Sequence, residues 1–326
     1  MSISNILVLT VTYGDRFDEL KYGPLAVAIS LDCHIVIVCN GVSSNYLIQL
    51  KNYIEALNIN AKLIINECNL GSAGGFKKGI ESCTELFFNR VLILDDDNFI
   101  SPDSINAIDL AKLGDANFIY RKGRKYMDVA LHGNDPASIL SANNGFLGLN
   151  IVQQIQKRIS SPKVIKVESY NFPWSPYGGL LLSRKAITSG ILPNKDYFLY
   201  CDDTAYTNDL SKEFGLYIVP GCEVSDYADS WNVASNKNIF NRLLQEVDSW
   251  RIYYSVRNQC HFDLSRCDSK LSFILNMMIF IFLLSLFSTI ALVTEMKLRP
   301  GSRFFLIVRS SWDGLRGSLG NKGVGW

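Results

Sequence analysis

Short, continuous apolar segments alternate with longer segments of helical periodicity over the N-terminal third of the chain. Segments of the first kind are typical of strands that are buried on both faces of a parallel sheet. The order βαβαβαβ therefore predicts an α/β fold with a Rossmann-like, mostly parallel sheet. The predicted strands are Asn5–Tyr13, Cys33–Asn40, Ala61–Asn66 and Arg90–Asp95, and the predicted helices between them are Phe17–Ser30, Asn45–Leu57 and Ser72–Phe88.

Polar residues follow three of these predicted strands at the point where each strand ends. Tyr13–Arg16 comes at the end of the first strand, Asn40–Gly41 at the end of the second and Asp95–Asp97 at the end of the fourth. In open α/β sheets, ligands bind at the carboxyl ends of the strands. The sequence therefore predicts a nucleotide-binding type of architecture with its site at this edge.

The pattern is less regular after Asp97. Ser101–Leu113 is predicted to be a helix, with Ser101 as its N-cap and Pro102 as its first helical residue. The basic sequence YRKGRKYMD, residues 120–128, predicts a hairpin at the edge of the sheet, and from Trp231 onward the pattern is helical. We therefore predict two domains, residues 1–230 and a helical region over residues 231–326.

Composition narrows the class of protein. The 326 residues carry 32 Lys and Arg against 31 Asp and Glu, a net charge of +1, which gives no reason to expect nucleic-acid binding. The eight cysteines form no CxxC pair, and the first residues lack a basic stretch with a cleavage site. These features predict a chain that stays reduced in the cytosol. The mean hydropathy of +0.10 is slightly high for a purely soluble enzyme.

One segment, Leu271–Val293, runs 23 residues without a charge and is long enough to span a bilayer. Its polar residues Asn276 and Ser285 point to opposite sides of a helix, so the segment is apolar all round. Basic residues flank both ends, which leaves the orientation open. The sequence predicts either insertion or embedding in a membrane, or a buried helix of a core or an oligomer. The flanking residues are Arg266 and Lys270 before the segment and Lys297, Arg299 and Arg303 after it.

A glycine-rich stretch, Asn69–Glu81, follows a predicted strand and opens a predicted helix. Small residues there allow backbone amides to approach a phosphate or a sugar, and a helix N-terminus favours an anion. The stretch matches neither a Walker sequence nor a GxGxxG motif. It is equally compatible with a tight turn that binds nothing.

Three consecutive aspartates, Asp95–Asp97, abut a buried strand. Adjacent carboxylates repel each other, and Mg²⁺ or Mn²⁺ bound to a diphosphate takes one or two protein carboxylates. The alternative is a solvated acidic turn. A second acidic pair, Asp202 and Asp203, could supply a general base because neighbouring carboxylates raise each other's pKa, or it could simply cap a helix. Arg16, Lys77 and Lys78 could contact a diphosphate or remain solvated.

Taken together, these motifs resemble family 2 glycosyltransferases of the GT-A fold, and within them the galactofuranosyl- and rhamnosyltransferase-like branch of bacterial surface polysaccharide synthesis. The resemblance covers nearly the whole chain, and the combination of motifs is more specific than any one of them. The motifs, in chain order, are LTVTYGDR, CNG, NLGSAGGFKKG, LDDDNF, YGGLLLSRKAITSGILPNKDYFLYCDDTAY, YYSVRN and DGLRG.

The resemblance implies a role for individual residues of this sequence. It makes Asp203 the catalytic base and Asp202 the residue that orients the acceptor hydroxyl. Asp95 and Asp97 would contact the metal, and Asp96 would face the donor ribose or sugar. Trp174 would lie over the acceptor. The residues implied to contact the donor, at its nucleotide, diphosphate or sugar, are Thr12, Tyr13, Arg16, Asn40, Asn69, Gly74, Gly75 and Lys78.

The sequence departs from the family pattern at two positions. Ala205 stands where the family often has an acidic residue, and Asp226 stands where it often has a metal-binding histidine. An aspartate is still a hard oxygen ligand, so Asp226 is the expected third ligand of Mg²⁺ or Mn²⁺.

The expected activity is inverting, metal-dependent transfer of a sugar onto a lipid-linked glycan at the cytoplasmic face of the bacterial inner membrane, as in O-antigen, lipopolysaccharide or capsule synthesis. UDP-galactofuranose is the expected donor and dTDP-rhamnose the alternative. A nucleotidyltransferase and a non-catalytic membrane scaffold are further alternatives. Residues 1–230 would form the catalytic domain, residues 231–326 would associate with the membrane, and a homo-oligomer is compatible with the sequence.

Overall fold

The structure of the chain is a computed structural model, and it describes residues 6–106, 108, 112–140, 143–159, 164–227, 239–245, 248–295 and 299–323. The chain divides into two compact units. The first consists of Met1–Gly133, Ile165–Lys195 and Asp202–Trp231, and the second of Asn134–Val164, Asp196–Cys201 and Asn232–Trp326. The boundary predicted near residue 230 falls within residues 228–238, which lie outside the described residues, and the second unit also takes up two earlier segments.

The first unit contains a mixed sheet whose strands run in the order β3-β2-β1-β4-β7-β6-β8-β5. Four of the strand pairs are parallel and three are antiparallel, so the predicted α/β architecture with a mostly parallel sheet is confirmed. The strands are β1 Ile6–Thr12, β2 His34–Asn40, β3 Ala61–Asn66, β4 Arg90–Asp95, β5 Asn98–Ile100, β6 Ala116–Arg121, β7 Leu180–Ser183 and β8 Tyr217–Asp226.

The register of the parallel strands brings their polar ends to one edge. Thr12 pairs with Cys39 of β2, and the preceding Val11 pairs with Asp95 of β4. Asn40 at the end of β2 pairs with Asn66 at the end of β3. The residues before these ends are almost all apolar and buried in β1, β2 and β4, so burial of the strands fixes the register that assembles the edge.

Helices connect the strands and make up most of the described part of the second unit. In the first unit they are α1 Phe17–Leu20, α2 Ala26–Ser30, α3 Ser44–Ala56, α4 Gly71–Cys83, α5 Pro102–Asn106, α6 Lys125–Leu131, α8 Arg184–Ile187 and α9 Asp202–Phe214. In the second unit they are α7 Ile151–Ile159, α10 Ile239–Gln245, α11 Ser249–Ser265, α12 Lys270–Glu295 and α13 Arg299–Leu315.

Two sequence-based predictions need correction. The helix predicted over Phe17–Ser30 is interrupted by a π-helical turn, Lys21–Leu25, because Gly23 leaves helical geometry and Pro24 follows it. A side chain on Gly23 would lie 2.9 Å from the carbonyl oxygen of Asn98, so only glycine fits there. The predicted edge hairpin over residues 120–128 is also wrong, since β6 pairs with both β7 and β8 inside the sheet.

Two further predicted helices differ from the structure or extend outside the residues that it describes. The helix predicted over Ser72–Phe88 ends at Cys83. The helix predicted over Ser101–Leu113 begins at Pro102 as expected, but residues 107 and 109–111 lie outside the described residues.

The second unit has its own apolar core, built around Phe146, Phe240, Phe273 and Phe280. Phe273 and Phe280 come from α12, the predicted long apolar helix. Over Lys270–Val293 it is the one helix in the described part of the chain that is long and apolar enough to cross a membrane.

Candidate active site

Asp226 and two of the three aspartates after β4 are collected around one buried asparagine. Asn98 begins β5 and lies opposite Asp226 in the antiparallel pair with β8. Its Oδ1 accepts the backbone N–H of Asp95 at 3.1 Å, and its Nδ2 donates to Oδ1 of Asp97 at 3.2 Å and to Oδ1 of Asp226 at 3.0 Å. The sheet thus brings the three predicted metal ligands to one place.

Arg16, which follows β1, supplies positive charge to one side of this acidic cluster. Its Nε donates to Oδ2 of Asp96 at 2.9 Å and its Nη2 donates to Oδ2 of Asp97 at 3.2 Å. The guanidinium also lies over the ring of Tyr13, 5.4 Å from the ring centroid. Arg16, the predicted nucleotide contact, is therefore held in place by Asp96, the residue predicted to face the donor.

Arg121, at the end of β6, supplies positive charge to the other side. Its Nη1 lies 3.2 Å from Oδ2 of Asp95 and its Nη2 lies 2.6 Å from Oδ1 of Asp226. The arginine side chain is only 7% exposed. Four carboxylates therefore meet two guanidinium groups, and the cluster keeps an excess of negative charge when it is ionised.

Burial and mutual repulsion act on the carboxyl groups of this cluster. Burial raises the pKa of Asp96 to about 7, although the neighbouring Arg16 opposes the shift. Burial and the charge of Asp95 raise the pKa of Asp97 to about 6. Both shifts mean that a further positive charge would stabilise the ionised cluster.

The donor set matches the chemistry of a hard divalent cation, because Asp95, Asp97 and Asp226 all offer carboxylate oxygens and the cluster has negative charge to spare. Their present arrangement is not a ready-made metal site. Among the described residues no group of three or more His, Cys, Asp or Glu is placed to hold an ion. The guanidinium of Arg121 pairs with Asp95 and Asp226, so a cation shared by these two carboxylates would have to displace it.

The second acidic pair opens α9, and its two members lie in different environments. Asp202 is 3% exposed, and its Oδ2 accepts a hydrogen bond from the Ser72 hydroxyl at 2.7 Å. Asp203 is half-buried, and its Oδ1 accepts the backbone N–H of Thr204 at 2.7 Å and the Thr204 hydroxyl at 3.2 Å. Asp202 is thus buried and held by Ser72, while Asp203 is less buried and its Oδ2 accepts no hydrogen bond from the described residues.

The two acidic clusters act on each other electrostatically. Burial raises the pKa of both Asp202 and Asp203, and the charge of Asp95 contributes to the rise in each of them. The neighbour Asp203 adds to the rise at Asp202, while Arg124 opposes the rise at Asp203. The charge of Asp95 at the end of β4 therefore acts on both carboxyl groups at the start of α9, and all three residues lie in the first unit.

The glycine-rich stretch forms the N-terminal part of α4, and its glycines are explained by packing. A side chain on Gly75 would lie 2.6 Å from Cγ1 of Val11 in β1, and one on Gly74 would lie 2.7 Å from Cβ of Leu70. Both glycines are buried. Gly75 lets the helix approach β1 closely, and Gly74 leaves room for Leu70 at the start of the same helix. Their predicted contact with the donor stays a prediction.

Asn40 is a structural junction between β2 and α4. Its Nδ2 donates to Oδ1 of Asn69 and to the carbonyl of Gly71, both at 3.0 Å. Its Oδ1 accepts from Nδ2 of Asn66 at 3.1 Å and from the backbone N–H of Leu70 at 3.0 Å. The amide of Asn40 thus uses its full hydrogen-bonding capacity inside the protein.

The other predicted binding residues differ in their availability. The Thr12 hydroxyl is buried and lies 2.9 Å from the hydroxyl of Tyr46, while Tyr13 is 49% exposed. Nζ of Lys78 donates to Oδ1 of Asn66 at 2.7 Å, which turns it toward the strand ends. Of these residues, Tyr13 presents the largest open surface for a nucleotide base or ribose.

Trp174 lies in the loop before β7, and that loop is fastened to α9 on both sides of it. The Thr207 hydroxyl accepts the backbone N–H of Ser175 at 3.0 Å, and Nδ2 of Asn208 donates to the carbonyl of Pro173 at 2.8 Å. The predicted acceptor-side aromatic residue is therefore attached to the helix that begins with the acidic pair.

Sequence reasoning missed Arg121 and Arg124. Arg121 is the buried counter-charge of Asp95 and Asp226, and Nε of Arg124 is a buried atom without a hydrogen-bond partner among the described residues. The basic run over residues 120–128 was the available signal. That run predicted an edge hairpin, because the pairing of β6 with β7 and β8 joins segments far apart in the chain and leaves no local pattern.

No protein-family model matches the chain, and no curated protein matches it. Among solved structures, it is similar to S. aureus TarS 1-349, with 12% identity, a TM-score of 0.46, and coverage of 95% of this chain and 80% of that one. The same TarS segment in complex with UDP-GlcNAc is 11% identical, with a TM-score of 0.45 and coverage of 96% of this chain and 92% of that one. GalNAc-T7 with UDP, GalNAc and Mn²⁺ is 13% identical, with a TM-score of 0.46 and coverage of 79% of this chain and 51% of that one. Since all three TM-scores are below 0.5, the functional interpretation depends on the chain's own residues.

Proposed function

We propose that this chain is an inverting glycosyltransferase that moves a sugar from a nucleotide-sugar donor to an acceptor hydroxyl. The observation that carries the proposal is the environment of Asp203. One of its carboxylate oxygens is held by Thr204, and the other accepts no hydrogen bond from the described part of the chain. A half-buried carboxylate with one available oxygen, electrostatically coupled to the acidic cluster of Asp95, suits a general base.

In the proposed reaction, Oδ2 of Asp203 accepts the proton of the acceptor hydroxyl while the hydroxyl oxygen bonds to the anomeric carbon. The bond from that carbon to the nucleoside diphosphate breaks at the same time, and its electron pair leaves with the phosphate oxygen. Attack from the face opposite the leaving group inverts the anomeric configuration. Asp202, which accepts a hydrogen bond from Ser72, would orient the acceptor hydroxyl, as the resemblance implies.

The donor would lie along the carboxyl ends of β1, β2 and β4. Tyr13 and Arg16 are placed for the nucleotide, and Asp96 for the ribose or sugar. A divalent cation, Mg²⁺ or Mn²⁺, would be held by Asp95 and Asp97 with Asp226 as the third ligand, and would neutralise the charge that develops on the leaving diphosphate.

UDP-galactofuranose is the donor that we propose, and dTDP-rhamnose is the alternative. Both donors are proposed from the resemblance of the motifs. The motifs do not separate the two, because the choice of sugar depends on loop shape. A nucleotidyltransferase is disfavoured, because it would need a basic glycine-rich loop after β1. Residues 11–20 contain a single glycine, Gly14. A non-catalytic scaffold is disfavoured by the electrostatic coupling of Asp95 to Asp202 and Asp203.

The second unit supports attachment to a membrane. One face of α12 exposes apolar side chains, most of them three or four residues from the next, which places them in a single stripe along the helix. We call this set the apolar stripe. Its residues, with their exposed fractions, are Leu271 79%, Ile274 45%, Leu275 52%, Met278 61%, Phe282 68%, Leu286 47%, Ile290 50% and Val293 71%.

The opposite face of α12 is packed into the second unit. Asn276 is 2% exposed, and its amide bonds to the backbone N–H of Ile151 at 3.1 Å and to the carbonyl of Asn144 at 2.8 Å. The motif that begins at Asp313 also packs on α11, where the Tyr253 hydroxyl donates to Oδ2 of Asp313 at 2.7 Å. These contacts favour a helix embedded in one leaflet, on the cytoplasmic side, over a helix that crosses the bilayer.

A membrane-embedded enzyme suits a lipid-linked glycan as the acceptor. Confinement of the enzyme and the acceptor to the same surface raises their effective concentration without any additional contact. The apolar stripe therefore supports the acceptor class that the resemblance implies.

A donor screen tests the proposed function. Purified protein with Mn²⁺ and a lipid-linked oligosaccharide is given UDP-galactofuranose, UDP-galactose, UDP-glucose or dTDP-rhamnose, and nucleoside diphosphate release is measured. We expect the fastest release from UDP-galactofuranose. Faster release from dTDP-rhamnose would move the assignment to the alternative donor, and no acceptor-dependent release from any donor would contradict glycosyl transfer by these sugars.

A further inference from the structure

The loop that leads into α9 holds three non-glycine residues in the left-handed region of backbone space. The φ angles are +64° at Phe198, +66° at Tyr200 and +61° at Cys201. Residues with a Cβ adopt this region at an energetic cost, and they remain there only when the surrounding structure over-determines the conformation. The loop Asp196–Cys201 therefore requires an external restraint.

Asn258 of α11 provides this restraint. It is fully buried, and its Nδ2 donates to the carbonyl oxygens of Tyr197 at 2.8 Å, Leu199 at 2.7 Å and Tyr200 at 2.9 Å. An amide nitrogen carries two hydrogens, so three carbonyls share two donors. A single side chain thus fixes the orientation of three peptide groups in the left-handed segment.

Arg257, also fully buried, orients the Asn258 amide. Its Nε donates to Oδ1 of Asn258 at 2.8 Å, so the nitrogen end of the amide must face the carbonyls. Its Nη2 donates to the carbonyl of Tyr197 at 3.1 Å and its Nη1 to the carbonyl of Gly320 at 2.7 Å. The backbone N–H of Gly320 donates in turn to the carbonyl of Asp196 at 2.6 Å.

We propose that Arg257, Asn258 and Gly320 form a carbonyl clamp whose function is to position Asp203. Cys201 is joined to Asp202 by a peptide bond, so the backbone that the clamp holds is continuous with the two residues that open α9. Asn258 is then a positioning residue for the transfer reaction. It touches neither donor nor acceptor. The inference rests on the proposed role of Asp203 as the general base.

The carbonyl clamp also assigns a role to two segments that the donor and acceptor sites leave unexplained. The sequence YYSVRN contributes Arg257 and Asn258 from α11, and the C-terminal segment after Gly317 contributes Gly320. Tyr254 fastens the same segment, since its hydroxyl lies 3.1 Å from Oδ1 of Asn321 and accepts the backbone N–H of Lys322 at 3.1 Å.

The test compares Asn258→Ala with Asn276→Ala in the full-length protein. Both asparagines are buried in the second unit and bond backbone groups, but the hydrogen bonds of Asn276 go to residues 144 and 151, outside the loop. Amide hydrogen exchange is measured over residues 196–203, together with kcat and the donor KM. We expect Asn258→Ala to speed exchange in this loop by about tenfold or more and the control to leave it unchanged.

We further expect Asn258→Ala to lower kcat by about tenfold or more while the donor KM changes by less than about threefold, because the base is displaced and the donor site is intact. Unchanged exchange in the loop would overturn the carbonyl clamp. Faster exchange with unchanged kcat would overturn its positioning role. Exchange remains informative even if the wild type transfers no sugar, so failure of the proposed function is distinguishable from failure of the clamp.

A second variant covers the case in which Asn258→Ala does not yield soluble protein. Adding Cys201→Gly places a residue that adopts φ +61° freely, so the loop needs less restraint. We expect the double variant to be soluble, with loop exchange faster than in the wild type. If it is as insoluble as the single variant, strain at Cys201 is not what Asn258 offsets, and the positioning of Asp203 through Cys201 is overturned.

Discussion

Nη2 of Arg121 lies 2.6 Å from Oδ1 of Asp226, and the same guanidinium reaches Asp95 through Nη1 at 3.2 Å. One buried arginine on β6 thus links the end of β4 to the end of β8. Both carboxylates are proposed cation ligands. Arg121 and a divalent cation would therefore compete for the same oxygens.

We expect Arg121→Met to bind Mn²⁺ more tightly than the wild type, by about tenfold or more, because a cation would no longer have to displace a paired guanidinium. Without metal, Asp95 and Asp226 lose their arginine partner in the variant, so its thermal midpoint falls, and added Mn²⁺ restores it more than in the wild type. Titration calorimetry and thermal unfolding measure both quantities.

Arg121→Lys is the matched control, because it keeps the positive charge and loses only the forked geometry. Its Mn²⁺ affinity is expected to lie between those of the wild type and Arg121→Met. Equal or weaker Mn²⁺ binding by Arg121→Met would show that the arginine and the cation do not share these oxygens.

Asp263 of α11 predicts a pH dependence of stability. Burial raises its pKa to about 7, although Gln259 and the backbone N–H of Leu147 each donate to it at 2.8 Å. Between the usual carboxyl pKa and about 7 the folded protein keeps this proton while the unfolded chain loses it. The contribution of the neutral carboxyl to stability therefore decreases as pH rises through this window, by about 1.4 kcal/mol per unit.

Asp263→Asn removes this titration and can keep both hydrogen bonds if the Gln259 amide rotates. Denaturant unfolding of both proteins from pH 5 to pH 8 isolates the effect, because the other carboxyl groups titrate alike in each. We expect the free energy of unfolding of the wild type to decrease relative to that of the variant up to about pH 7 and then stay level. Parallel curves across the whole range would refute the assignment.

The apolar stripe predicts how the protein binds lipid. Met278 and Phe282 are 61% and 68% exposed, so replacing both with glutamate should leave folding intact. The change removes roughly 3–6 kcal/mol of apolar transfer free energy from membrane binding. We expect binding to anionic vesicles to weaken by about a hundredfold or more in a flotation assay.

Phe87→Glu is the control for this experiment, because Phe87 is 84% exposed in the first unit, outside the stripe. It should float with vesicles as the wild type does. Flotation of the double glutamate variant at the wild-type level would mean that α12 is not the lipid contact.

The parallel half of the sheet and the polar edge formed by Asn40 and Asp95 could be predicted from the sequence, because continuous apolar segments determine both strand type and register. The helix α12 could be predicted for the same reason. In each case, neighbouring residues alone carry the signal.

The pairing of β6 with β7 and β8 could not be predicted, because short strands distant in the chain find each other only through tertiary packing. The burial of Arg121 depends on that pairing, so this burial could not be predicted from the sequence either. The clamping of residues 197–200 by Asn258 also joins distant segments. Its sequence motif was visible, but no local pattern indicates which carbonyls a side chain will meet.

The central claim is that Asp203 is the general base of glycosyl transfer, and Asp203→Asn tests it most directly. Asparagine keeps an oxygen that can accept from Thr204, and the exposed Asp209→Asn on the same helix serves as the control. We measure sugar transfer to the acceptor and, separately, donor binding by calorimetry. The account predicts a loss of turnover of about 10³-fold with donor affinity within about threefold of the wild type. Near-normal turnover by Asp203→Asn would contradict it.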